Sequence, residues 1–314
     1  ITAIGNDHED IAEILLQHKD TKVRIRDGHN NTAIIYAAVN GNVNILKLLL
    51  QKKATAFDIN VQNDIGGFPL LIAAEAGHAQ FVKELLRHEN IEVNMQSQTG
   101  LTALMAASNK GQIETVSLLL SDSRTDINLL NQAGESALHI AAYQGHAKVV
   151  ELLIKQKDCK INIQNKLGTT ALLHASSNGK EIVQAMLKRE DLKVNISEYT
   201  GFMFSPLHRA CEFGDDEVVS LLLGCKDIDV NNYSMSVGPP LMRAATHNHH
   251  KVVKKLLQHE SIKVNLQSPD GINALILATY RGHKQVVELL LKHKDIEVNA
   301  KSIAGFTALM CAIN

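Results

Sequence analysis

The sequence carries almost no net charge: 32 Lys and Arg against 33 Asp and Glu leave −1 over 314 residues. Proteins that bind nucleic acid usually gather a basic excess on one face, so neither nucleic acid nor an anionic membrane is an expected partner. A local group, Lys251, Lys254 and Lys255, stands at helical spacing and reads as a solvated helix face. No apolar run approaches the roughly 20 residues that cross a bilayer, which argues against membrane insertion by this segment. The four cysteines, Cys159, Cys211, Cys225 and Cys311, are scattered without a CxxC pair. That spacing argues against a disulfide framework and points to reduced thiols in the cytoplasm or nucleus. Glycine-rich phosphate loops, nucleophile elbows and HExxH motifs are also missing. Carboxylates such as Glu151 and Glu288 recur at one phase of an apolar segment, with Glu84 one residue further along its own, which marks a solvated face rather than an acid–base pair. The segment is not expected to be an enzyme or to hold a cofactor.

What the sequence does contain is a period. Its anchor is an Ala or Pro at positions 33, 69, 103, 137, 171, 206, 240, 274 and 308, spaced by 36, 34, 34, 34, 35, 34, 34 and 34 residues. The residue before it is Thr32, Thr102, Ser136, Thr170, Ser205, Asn273 or Thr307, side chains that accept from the orphan amides of a helix start. Ala or Pro is tolerated at the first helical position. Phe68 and Pro239 break the rule, so those two caps should be weaker. Eight residues after the anchor stands Gly41, Gly77, Gly111, Gly145, Gly179, Gly214, Asn248 or Gly282, residues that accept the left-handed conformation ending a helix. A second apolar segment follows, such as Val149, Val150, Leu152, Leu153 and Ile154, with the spacing of a helix buried on one broad face. Then comes an Asn, at 60, 94, 128, 162, 195, 231, 265 and 299. A short polar residue and a Gly at fixed offsets follow it and describe a tight turn. One unit is therefore helix, turn, helix, extended turn.

The blocks Ser205-Pro206-Leu207-His208 and Ser136-Ala137-Leu138-His139, with Gly77-His78, Gly145-His146 and Gly282-His283, resemble the ankyrin repeat. The likeness runs the length of the chain and predicts an all-α solenoid of stacked helix–turn–helix units joined by β-hairpin-like turns. Full repeats are expected at 27–62, 63–96, 97–130, 131–164, 165–199, 200–233, 234–267 and 268–301, with partial repeats at 1–26 and 302–314, all one domain. No unit can bury its own apolar face, so neighbours supply the core. Ile11, Ile14, Leu309 and Ile313 read as interior positions, and the pattern is expected to continue in a longer chain. Insertions near Thr55 and Phe202 suit a natural sequence better than an idealised one.

Eleven of the fifteen histidines fall at fixed places in the period and read as turn or helix-end furniture. His247, His249 and His250 are the best metal candidates, but without a Cys or a carboxylate at ligand spacing no metal is assigned. The resemblance implies a protein or peptide partner lying along hairpin tips and the exposed ends of first helices, which places Tyr143, Phe213, Tyr280 and Arg281 at the contact surface. One stretch departs from the pattern: between Asn195 and Pro206 the chain is two residues too long. Five of the twelve aromatic residues lie between positions 199 and 233. Tyr199, Phe202, Met203 and Phe204, with Tyr233 and Met235 in the next hairpin, are either an interface core or local packing. The recurring Asn is expected to satisfy turn backbone. The resemblance also implies hydroxylation at Asn265 and Asn299, each preceded by Val with Leu257 or Leu291 eight residues upstream. An interaction scaffold is the first functional expectation; a regulatory or tethering arm of a larger enzyme or channel is the alternative.

Overall fold

The computed structural model describes residues 2–5, 8–51, 58–197, 204–235 and 238–313; the insertion around Thr55 lies outside them. Each anchor starts a helix of two turns or so, because the Ala-rich block is short and a left-handed residue stops it. After the short Thr2–Gly5 (α1), the first helices of the units are Ala33–Asn40 (α3), Pro69–Ala76 (α5), Ala103–Asn109 (α7), Ala137–Tyr143 (α9), Ala171–Asn178 (α11), Pro206–Phe213 (α13), Pro240–Thr246 (α15), Ala274–Tyr280 (α17) and Ala308–Ile313 (α19). The second helices are Glu9–Gln17 (α2), Val43–Gln51 (α4), Ala79–Leu86 (α6), Ile113–Ser121 (α8), Ala147–Ile154 (α10), Lys180–Met186 (α12), Asp216–Leu223 (α14), His250–Leu257 (α16) and Lys284–Leu291 (α18). Among the described residues there is no strand, only isolated bridges at Gln164–Thr170 and Ser234–Gly238.

The chain forms two compact units, Ile1–Lys160 and Ile161–Asn314. In the first, α3, α5, α7 and α9 pack successively, as do α2, α4, α6, α8 and α10. In the second, α11, α13, α15, α17 and α19 form one row and α12, α14, α16 and α18 the other. Paired alanines let first helices approach closely; Ala37–Ala38, Ala73–Ala74, Ala141–Ala142 and Ala244–Ala245 are fully buried. Second helices contribute the larger core side chains, such as Val149, Val150 and Leu153, or Val252, Val253 and Leu256. Each such burial is worth about 1.5–3 kcal/mol.

The caps follow the sequence with one exception. Thr102, Thr170 and Asn273 accept from the amide three residues on. Ser136 and Ser205 form reciprocal boxes in which His139 and His208 stand where Glu or Gln usually does. Phe68 and Pro239 make no side-chain cap. Neither does Thr32, whose more extended backbone (φ −112°) leaves its hydroxyl buried without a hydrogen bond among the described residues. One first helix runs directly into its second: Gly179, at φ 133° and ψ 154°, both ends α11 and starts α12.

Asparagines and histidines bolt successive repeats together. Asn94 donates to the Arg124 carbonyl (2.7 Å) and accepts from the Asp126 amide (2.8 Å); Asn128 does the same with Asp158 and Lys160 (both 2.9 Å). In the second unit Asn162, Asn195, Asn231 and Asn265 repeat the bridge. The bonded backbone thus belongs to the following repeat, not to the asparagine's own turn. The turn histidines reach the other way: His146 Nε2 lies 3.0 Å from the Asn109 carbonyl and His249 Nε2 2.9 Å from that of Glu212. Gly111 must be glycine on two counts, since φ is +69° and a Cβ there would stand 2.8 Å from the His146 ring.

Candidate interaction surface

The inter-repeat turns are short hairpins. Asn131 shows how one closes: its side-chain oxygen accepts from the Ala133 and Glu135 amides (2.9 Å each), and Gly134 at φ +79° turns the chain back. Asn165, Ser97, Ser268 and Ser302 play the same part elsewhere. Neighbouring tips are hydrogen-bonded side by side, Gln132 N–H to Thr99 O (3.0 Å) in the first unit and Ile303 N–H to Asp270 O (2.9 Å) in the second. Glutamines just before the tips brace the row; Gln62 reaches Gln96 O (3.1 Å) and Gln267 reaches Lys301 O (3.2 Å).

This row fixes where the residues singled out in the sequence fall. Tyr143, Phe213 and Tyr280 end their first helices 60%, 57% and 74% exposed, and Arg281 beside Tyr280 is exposed as well. Met235 is exposed at a hairpin tip. Tyr199, Phe202 and Met203 lie outside the described residues. Phe204 is not presented to a partner: it is 5% exposed, with the guanidinium groups of Arg209 and Arg243 each 5.2 Å from its ring centre and His208 stacked at 5.9 Å. A ring in contact with two guanidinium cations is energetically satisfied where it stands. Tyr233 sits in the glutamine position and does the glutamine's work, donating its hydroxyl to Gln267 O at 3.0 Å. The described members of the aromatic run therefore do not form one exposed patch. Of the two asparagines matched to a hydroxylation pattern, Asn265 is engaged through both ends of its amide, and Asn299 is exposed.

The electrostatics concentrate around Glu212. Its carboxylate binds Arg209 (3.2 Å) and, more closely, Arg243. Arg243 Nε is buried with no hydrogen-bond partner among the described residues. Within that cluster His208 is fully buried; its Nδ1 accepts from the Ser205 amide, which leaves Nε2–H to donate to Gly238 O (3.0 Å). Burial first, with Arg243 adding, holds its pKa down at about 4. Burial also lowers His247, again with help from Arg243 and, more weakly, Arg281. His247 and His249 stack at 5.9 Å, but His249 is committed to Glu212 O. Among the described residues no group of three or more His, Cys, Asp or Glu converges as a metal site would.

Two grooves open on the second unit. One of about 830 Å³ lies at the far ends of second helices, between Leu187, Val194, Leu221, Gly224 and Cys225. The other, about 810 Å³, is on the hairpin face and lined by Ile272, Ile276, Leu277, Tyr280, Ile303 and Phe306 among others. Sequence reasoning named only Tyr280 of this second set. The missed signal is positional: two residues before the anchor, Glu135 and Thr169 give way to Ile272 and Phe306.

Paired helices, hairpins with asparagine bolts and exposed first-helix ends recur within each unit and define a repeat protein. The family model for ankyrin repeats matches residues 1–63, 54–131, 70–165, 110–198, 138–234 and 241–314, and the chain belongs to the ankyrin-repeat family. Comparison with curated proteins finds no match. Ankyrin repeats generally mediate protein–protein interaction, and proteins built from them are typically non-enzymatic scaffolds. Among the described residues no helix is long and apolar enough to cross a membrane.

Proposed function

We propose that this chain is an interaction scaffold that holds a protein or peptide partner along its hairpin tips and first-helix ends, in the cytoplasm or nucleus. One observation carries the reading: Tyr143, Phe213 and Tyr280, large aromatic side chains, stand 57–74% exposed in the last turns of their first helices. Exposed aromatics cost solvation in the free protein and are the residues that dominate binding energy when covered. The cysteines are consistent with a reducing compartment, being free thiols, with Cys159 and Cys211 buried apart in the core.

The test is site-specific photocrosslinking in the native cell. A benzophenone side chain at Tyr143 or Tyr280 is expected to trap a partner, and one at Glu151 or Glu288 on the second helices is not. Trapping from the second-helix positions alone sinks the proposal. Tyr143→Ser with Tyr280→Ser should lose the partner and leave the thermal midpoint within a degree or two, because exposed side chains contribute little to folding.

A further inference from the structure

We infer that the hairpin face formed by α13, α15, α17 and the hairpin 302–306 takes an extended peptide carrying a carboxylate and, about three residues away, an apolar side chain. The carboxylate faces Arg243 and Arg281; the apolar side chain fills the groove beneath Tyr280. This inference rests on the reading of the hairpin face as the binding surface, and it adds what the face recognises.

The charge comes from a break in the repeat. Three residues after the anchor, the first unit carries Tyr36, Ile72, Ala106 and Ile140, and the second carries His174, Arg209, Arg243, Leu277 and Cys311, so arginine stands at two neighbouring repeats alone. The guanidinium groups of Arg209 and Arg243 meet at one carboxylate, Glu212. Arg243 still holds a buried donor without a partner among the described residues. Arg281 adds an exposed cation one helix further along; His247, whose proton affinity burial lowers first, feels both Arg243 and, more weakly, Arg281. A partner carboxylate would meet two cations here and match arginine's forked geometry.

The groove next to these cations is of a different kind. Ile303 is 79% exposed and Tyr280 74%, with Phe306 at 44%, and together with Ile272 and Leu277 they line about 810 Å³, room for a large aliphatic or aromatic side chain. Asp270 is the one ionised group on its wall; it opposes a carboxylate in the groove and so sets which way the peptide runs. Packed helices stand about 8–10 Å apart and an extended chain advances about 3.3 Å per residue. The acidic and apolar residues of the peptide therefore fall about three positions apart.

A random dodecamer library displayed on phage, selected against the 314-residue chain, tests this, with anisotropy titration of the enriched peptides. Enriched sequences should hold Asp or Glu about three residues from Leu, Ile or Phe. Converting that acid to its amide should weaken binding about tenfold or more. Arg281→Glu should weaken the acidic peptide about tenfold and favour its Lys counterpart, and Ile303→Asp should weaken both. Both replaced residues are exposed, and circular dichroism melts verify that the variants fold. Peptides that bind this face with no acidic preference, or affinities indifferent to both substitutions, overturn the inference, as does equal competition by an oligonucleotide. Peptides that bind only around Tyr143 overturn it while sparing the scaffold reading; a library yielding no binder at all counts against both.

Discussion

The recurring asparagine shows how far a single residue can be read. Its periodicity and its turn-like setting were plain in the sequence, but its bonding partners lie about 30 residues ahead, and only the stacked helices bring them within reach. Asn128→Ala removes a donor to Asp158 O and an acceptor for Lys160 N–H. It is expected to cost about 1–2 kcal/mol in urea denaturation, the low end for orphaned backbone groups because this site is exposed. Asn299→Ala, exposed and without a bonded partner among the described residues, is expected to stay within about 0.5 kcal/mol. His208 is a second case. Its pKa falls from 6.5 to about 4 on folding, so above pH 6.5 the residue is neutral in both states and costs nothing. As pH drops below that, the unfolded chain takes the proton and the folded one does not, and stability declines. The penalty should reach about 2 kcal/mol at pH 5. His208→Gln should flatten the change in urea midpoint between pH 7 and pH 5; an unchanged slope would place the titration elsewhere.

At the scale of elements, the short first helices are specified almost entirely by local signals: a capping hydroxyl, an Ala or Pro start and a left-handed stop. Where the cap is missing, the core explains it. Phe68 occupies a cap position but is 1% exposed, one of the largest fully buried side chains. Phe68→Thr would restore a cap worth about 1 kcal/mol and remove packing worth about 3–5 kcal/mol. The net expectation is a loss of about 2–4 kcal/mol in chemical denaturation. The helix stops divide in a way the sequence does not reveal. Gly111 and Gly145 share the left-handed backbone, yet a Cβ on Gly111 meets the His146 ring at 2.8 Å and one on Gly145 meets nothing within 4 Å. Gly145→Ala should therefore cost about 1 kcal/mol from backbone strain alone. Gly111→Ala should cost more and should also loosen the His146 bond to Asn109, visible as a shift of the imidazole resonances.

At the scale of the molecule, stability comes from neighbours rather than from a single centre. Within these 314 residues α2 packs on the second helix α4 and α19 on the first helix α17; Ile11 and Ile14 in α2 are 52% and 69% exposed, and Leu309 and Ile313 in α19 are 71% and 79%. Native-state hydrogen exchange should show amides of α2 and α19 opening first, and those of α7, α8, α15 and α16 exchanging about tenfold or more slowly. Uniform protection along each unit would argue against nearest-neighbour stacking.

By itself the sequence determined the period, the helix pairs, the hairpins and the family, because each rests on contacts within one repeat length, where cap, stop and turn residues act on adjacent backbone. It left open the fate of the aromatic run and did not reveal the charged cluster. Phe204 and Tyr233 look alike in sequence to Tyr280 and Tyr143, yet packing between repeats buries the first beneath Arg209 and Arg243 and ties the second to Gln267. Exposure is a property of what the next repeat places alongside, and so only the tertiary structure could decide which aromatic side chains stay at the surface.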